Sequence, residues 1–256
     1  MLSLTHAQDA ILVNHFTSKS TVWSYDLERK VFVPVQTFAE ATSTLAGTLP
    51  DGRLLASSFG ALDTLAYPAD GRGDPERIVQ GVVADVTRDG AHALVIDNPM
   101  GGTPMLQAYE LGSSEAPRDL RASVSVLTGL PRLSPDGNWL LFNAERNGET
   151  NVLLTRFPSG EGEWQVSVGG GGSAWFGDDD GFLYYQKGGL FQEAALELWR
   201  VPFVAAPGVQ LGAPERLLTM EDPIDLAAYH APTQRFVGIR RRSSAQRQLV
   251  IETGVR

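Results

Sequence analysis

Cysteine is absent from the 256 residues. That excludes a disulfide framework and any thiolate metal site, and it leaves the redox state of the compartment without a mark on the fold. Long apolar runs are missing as well: no stretch approaches the roughly 20 residues that a membrane helix needs. The opening MLSLTHAQDAILVNHFTSKS has neither the basic start nor the apolar run of a signal peptide. The sequence therefore predicts a cytoplasmic location, or a periplasmic or other extracytoplasmic one if the chain is part of a longer protein. Positive charge is in deficit, 21 basic against 30 acidic residues for a net of −9, which disfavours phosphate backbones and anionic lipid surfaces as partners. Helical periodicity is scarce too. Only LFQEAALELWR, Leu190 to Arg200, carries apolar residues near helical spacing among good helix formers, so that a short helix or an elongated hairpin loop could begin it.

What the sequence does have is a repeat. In PRLSPDGNWLLF, starting at Pro131, two apolar strands flank a Pro-Asp-Gly turn. Glycine supplies the positive φ, proline presets its own, and aspartate can bond the backbone two residues on. Strands joined this tightly pair antiparallel. The phrase returns as TLPDGRLLASS, DVTRDGAHALVID and WFGDDDGFLYYQ, with worn copies at THAQDAILVNHF and HAPTQRFVGIR. Its aspartates, Asp51, Asp89, Asp136 and Asp180, stand 38, 47 and 44 residues apart, against about 40–45 residues for a four-stranded propeller blade. A third strand follows each hairpin (TVWSYDL, DTLAYPA, PMLQAYEL, NVLLTRFP, LELWRVPF, QLVIETG), and a fourth closes most units (VFVPV, ERIVQ, RDLRA, WQVSV, ERLLT).

The pattern predicts an all-β chain: a single six-bladed β-propeller of four-stranded antiparallel blades, with approximate bounds 1–38, 39–80, 81–122, 123–168, 169–219 and 220–256. The last blade lacks its outermost strand, since the final apolar run, Leu249 to Ile251, is a third strand. The rings of Trp23, Tyr67, Tyr109, Trp139, Trp199 and Phe236 are expected to be largely buried. The turns at Leu49–Gly52, Thr87–Gly90 and Ser134–Gly137 are expected to be equivalent, all on one rim.

The run from Leu133 to Tyr185, with Ser134-Pro135-Asp136-Gly137, Trp164-Gln165-Val166-Ser167 and the glycines 169–172, resembles the WD40-like repeats of TolB-type six-bladed propellers. It is most similar to the bacterial propeller domains found C-terminal to serine/threonine kinases or transcriptional regulators. The last repeat departs from the family's turn, with Pro232-Thr233-Gln234 in place of proline-aspartate-glycine. The resemblance implies a binding domain, and a kinase or regulator partner would be encoded upstream, because no kinase loop is present in this chain.

Candidate chemistry is sparse. Gly169 to Gly172 could cradle an anion, but no Lys-Ser/Thr or helix start follows, so the run reads as a crossover between blades. Asp178, Asp179 and Asp180 are three consecutive carboxylates, which cannot all face one Ca²⁺ without a curled loop, and they read as a solvated turn. His6, His15, His92 and His230 fit no metal spacing. No Gly-x-Ser-x-Gly elbow supports a serine hydrolase. Arg240, Arg241 and Arg242, with Arg235 and Arg247 close by, form the densest basic patch of an acidic chain and are assigned as the partner-facing residues, on the hairpin between the last two strands. The sequence thus predicts a non-enzymatic interaction module that binds a protein or small ligand through its loop faces, with no catalytic residue, cofactor or metal. A small-molecule sensor domain and a metal-assisted lactonase or lyase are the alternatives.

Overall fold

The architecture is taken from a computed structural model. The structure describes residues 2–4, 10–16, 20–26, 28–38, 43–58, 62–68, 72–97, 103–122, 124–125, 129–177, 181–189, 194–220, 224–230, 235–243 and 246–252. The chain divides into two compact units, Met1–Ala122 and Ser123–Arg256. All regular structure among the described residues is β, arranged in six sheets of consecutive, antiparallel strands.

Three sheets make up the first unit. β1 (Leu2–Leu4), β2 (Ala10–Phe16), β3 (Ser20–Asp26) and β4 (Phe32–Phe38) pair in chain order. So do β5 (Ser43–Thr48), β6 (Leu54–Ser58), β7 (Asp63–Tyr67) and β8 (Glu76–Gln80), and then β9 (Val82–Val86), β10 (His92–Asp97), β11 (Met105–Glu110) and β12 (Arg118–Ala122). Inner strands such as LLASS and HALVID are apolar at adjacent positions as well as alternate ones, because they bury both faces. The period-2 geometry of a strand then assigns each residue to one neighbour. Leu54 and Ala56 pack with Leu12 and Val22 of the preceding sheet, whereas Leu55 packs with Ala66, Val83, Ala93 and Val95 on the side of the next one. Outer strands are charged instead: β8 is mostly exposed, and Arg77 pairs with Asp63 across to β7 at 2.8 Å. Charge on an outer strand discourages edge-to-edge pairing with another chain.

The second unit repeats the logic. Its first sheet is β13 (Arg132–Leu133), β14 (Trp139–Arg146), β15 (Glu149–Arg156) and β16 (Trp164–Gln165). The next holds β17 (Ala174–Phe176), β18 (Phe182–Gly189) and β19 (Ala194–Val204), with β20 (Gln210–Leu211) and β21 (Glu215–Met220) both paired to β19. β22 (Ile224–His230), β23 (Arg235–Ser243) and β24 (Gln246–Glu252) form a sheet of three strands among the described residues. Again one sheet serves two cores. Ala174 and Tyr185 join Trp139, Leu141, Val152 and Leu154, while Trp175 and Tyr184 join Leu226 and Phe236.

One expectation holds and one changes. The third strand expected from Leu196 is present as β19, which begins at Ala194, because pairing with β18 on one side and β21 on the other holds LELWR extended and leaves no helix there; residues 190–193 lie outside the described residues. Of the six rings expected to be buried, Trp139 and Phe236 are, but Trp23, Tyr67, Tyr109 and Trp199 are only half-buried. Trp199 shows why: Tyr185 stacks on it at 6.2 Å, and a flexible Lys187 ammonium lies 4.7 Å from its ring centroid.

Candidate functional site

The three complete Asp-Gly hairpins are built from the same bonds. Gly52 N–H donates to Leu49 O at 2.9 Å, Gly90 to Thr87 O at 2.8 Å and Gly137 to Ser134 O at 2.9 Å, with φ of 85°, 70° and 70° at the glycines. The aspartate accepts from the backbone two residues on in each: Arg53 to Asp51 at 3.0 Å, Ala91 to Asp89 at 2.9 Å and Asn138 to Asp136 at 3.1 Å. A hydroxyl at the first turn position then caps the second strand where one is available. Thr87 Oγ1 accepts from His92 N–H at 2.9 Å, and Ser134 Oγ accepts from Trp139 N–H at 2.9 Å while donating to Asp136 at 2.5 Å. Ser134 and Asp136 thus resemble a nucleophile beside a base only on paper; both are committed to the turn. In the first unit the turns at 49–52 and 87–90 are neighbours, since a methyl built on Gly90 would come within 2.9 Å of Pro50 Cγ. Asp178, Asp179 and Asp180, in the fourth copy of the hairpin, lie outside the described residues, as do the worn turns at residues 5–9 and 231–234.

These bonds set the local electrostatics. The Arg53 amide holds the Asp51 carboxyl below its ordinary value, and the Ala91 amide followed by the Thr87 hydroxyl does the same for Asp89. At Asp136 burial is the largest influence and acts upward, but the Ser134 hydroxyl and the Asn138 side chain and amide together outweigh it, and the pKa is lowered.

At the crossovers between sheets, polar side chains are equally occupied. Ser57 and Thr64 hydroxyls meet at 2.7 Å, Thr64 donates to Gly81 O at 2.8 Å, and Val83 N–H reaches Ser57 Oγ at 3.1 Å. In the second unit Ser167 Oγ accepts from Val152 N–H at 2.9 Å and donates to Asn151 Oδ1 at 3.0 Å. The glycines 169–172 join β16 to β17: Gly169 and Gly170 have φ of 66° and 83°, and the amides of Gly171 and Gly172 bond Thr150 O and Gln186 O. A methyl on Gly171 would sit 2.8 Å from Ser167 Cβ, so close packing requires glycine there.

Sequence reasoning missed the lysine that folding brings to this crossover. Lys187 donates to Val168 O at 2.5 Å, and Glu197, facing it across the hairpin, is held below the usual carboxylate range first by Arg216 and then by the Trp199 indole. Its signal was a lone lysine after an aromatic run, which nothing local distinguishes. Tyr185 is fully buried, and among the described residues its hydroxyl has no hydrogen-bond partner of good geometry. Burial pushes its pKa up, with the Val168 backbone working the other way.

Arg240, Arg241 and Arg242 belong to strand β23 rather than to the hairpin turn: Arg240 faces Gln248 and Arg241 faces Arg247 on β24. The tip, residues 244–245, and the side chains of the three arginines lie outside the described residues. His6 lies outside as well, and so does the side chain of His15 on β2. His92 opens β10, and His230 is buried at the end of β22. Among the described residues no three His, Asp or Glu side chains are grouped to hold a metal ion, and no helix is long and apolar enough to cross a membrane.

Within each unit, antiparallel sheets built from strands consecutive in the chain pack face to face on the next sheet, as blades do in the β-propeller class. Solved structures bear this out. A putative TolB from Agrobacterium tumefaciens superposes with a TM-score of 0.71 at 15% identity, over 92% of this chain and 85% of that one. The β-propeller domain of Cps50 (Swd1) from Myceliophteria thermophila gives 0.60 at 12% identity, over 99% and 86%. Dipeptidyl peptidase 4 from Porphyromonas gingivalis gives 0.53 at 9% identity, over 98% of this chain but 43% of that one. At these identities the likeness is one of fold. No protein-family model matches the chain, and no curated protein is similar to it in sequence.

Proposed function

We propose that the chain is a six-bladed propeller acting as a non-catalytic interaction module, which offers the loops at one end of its sheets to a protein or small ligand. In this reading each of the six sheets is one blade, and β22–β24 is a blade of three strands. The observation that carries the reading is where the buried polar side chains are spent. Ser57, Thr64, Ser134, Asn151 and Ser167 bond the backbone or one another at turns and crossovers. A hydroxyl committed in this way maintains a scaffold and is not poised to attack a substrate. The scaffold leaves recognition to the loops, as in other folds that carry function on variable loops over a rigid frame.

A photo-crosslinking residue placed in turn at Asp89, on a first-hairpin turn, and at Asn147, on a second-hairpin loop, tests this inside cells. One end of the sheets is expected to yield a discrete adduct, and the other none. Turnover of a peptide, ester or lactone by the purified chain, abolished by substituting one of its own side chains, would overturn the reading.

A further inference from the structure

The loop between β14 and β15 consists of Asn147 and Gly148, closed by the facing pair Arg146 and Glu149. Their φ values are 56° and 80°, the left-handed pair of a type I′ hairpin turn, for which Asn-Gly is a favoured sequence. Both residues are exposed. Neither the Asn147 carboxamide nor the Gly148 N–H has a hydrogen-bond partner among the described residues, and nothing lies within 4 Å of a Cβ built on Gly148.

We propose that Asn147 is a site of spontaneous covalent modification, losing its amide nitrogen through attack by the Gly148 backbone. Hydroxide takes the Gly148 amide proton, and the nitrogen bonds to Cγ of Asn147. The Cγ–Nδ2 bond breaks, and Nδ2 leaves as ammonia after taking up a proton from water. Water then adds to either carbonyl of the resulting succinimide and opens it to aspartate or isoaspartate. One water is consumed and one ammonia released, with no change of oxidation state.

The remaining asparagines show why the reaction belongs here. Asn98 precedes Pro99, which has no N–H to attack with. Asn138 is held by Asp136, and the amide that follows it is bonded to Ser134. Asn143 and Asn151 are buried, and Asn14 lies within a paired strand. Without a Cβ, Gly148 offers the least hindered nucleophile of the set. The aspartate product keeps the turn, because Asp-Gly suits the same geometry, and it adds a negative charge near Glu145 and Glu149. The isoaspartate product lengthens the main chain by one carbon, which a two-residue loop pinned by Arg146 and Glu149 cannot absorb without slipping register.

The test is to hold the folded chain at mildly alkaline pH, digest samples over time and follow each asparagine by mass spectrometry. Asn147 is expected to convert ahead of the other five asparagines, as two chromatographically distinct products. The variant Asn147→Asp should release no ammonia at that position and should form isoaspartate more slowly, by loss of water to the same succinimide, and the isoaspartate form should melt at a lower temperature than this variant. Conversion of another asparagine first would overturn the proposal. So would a folded chain that stays intact while the urea-unfolded chain converts at Asn147, since the turn would then hold the reacting groups apart.

Discussion

Single residues matter here mainly through the backbone groups they satisfy. Ser134 is buried and caps the N–H of Trp139, which is itself buried. Ser134→Ala therefore leaves a buried donor unpaired, and a loss of about 1–3 kcal/mol is expected. Urea denaturation measures it, and a loss within experimental error would mean the hydroxyl is incidental. Tyr185 makes the opposite case. Among the described residues its buried hydroxyl has no hydrogen-bond partner of good geometry, so Tyr185→Phe should leave the unfolding midpoint unchanged or raise it. A clear drop would show that the hydroxyl makes a bond in solution. The turn aspartates add a pH dependence. Asp51, Asp89 and Asp136 are all depressed below the ordinary 3.8. Their carboxylate bonds therefore contribute stability that is fully present above the unfolded-state value and is lost as pH falls through the lower folded-state values. Replacing all three with asparagine, whose Oδ1 still accepts from the backbone, should flatten the acid limb of a stability-against-pH curve while keeping the turns. An unaltered acid limb would place the proton uptake elsewhere.

At the level of elements, the junctions between sheets are set by glycines. Gly81 links β8 to β9 with φ of 116°, buried, and a methyl there would run into Cγ1 of Val95. Gly112 has a comparable φ of 80° but open space around it. Gly112→Ala should then cost only the left-handed strain, about 1–2 kcal/mol, whereas Gly81→Ala adds overpacking of about 1–3 kcal/mol. Equal losses would show that the crossover relaxes freely. The same elements mark how far the sequence could be read. Asp-Gly turns flanked by apolar runs announced the hairpins, because glycine and aspartate do there what no other pair does as well. Continuous apolar runs such as LLFNA and FLYYQ announced strands buried on both faces. The stretch LELWR was ambiguous because leucine and glutamate favour a helix locally, and only the two flanking strands of its sheet override that preference. Arg240 to Arg242 were legible as part of the last hairpin but not as strand residues, because a run of charge gives no sign of the partner strand that pairs with it. Lys187 could not be found at all, since its neighbours Trp199 and Val168 meet it only after folding.

At the scale of the whole molecule, every sheet is assembled from strands consecutive in the chain, so the same gradient from buried to exposed is repeated along it. Second strands are sequestered: Ala93 to Ile96 and Leu140 to Phe142 are at most 2% exposed. Fourth strands such as β8 and β21 are mostly open to solvent, and their ion pairs, Arg53 with Glu76 and Arg216 with Glu197, have partly exposed partners. Pairs of that kind contribute about 0–1 kcal/mol each and weaken with salt. Local opening follows buried apolar contact rather than surface charge, so amide exchange should be graded within each sheet in the same way. β10 and β14 are expected to exchange only with global unfolding, and β8 and β21 through smaller openings that salt promotes. Native-state hydrogen exchange followed by mass spectrometry reads this directly. Outer strands as protected as inner ones, with no response to salt, would show that the sheets are held from their edges as firmly as from their apolar faces, contrary to the packing described above.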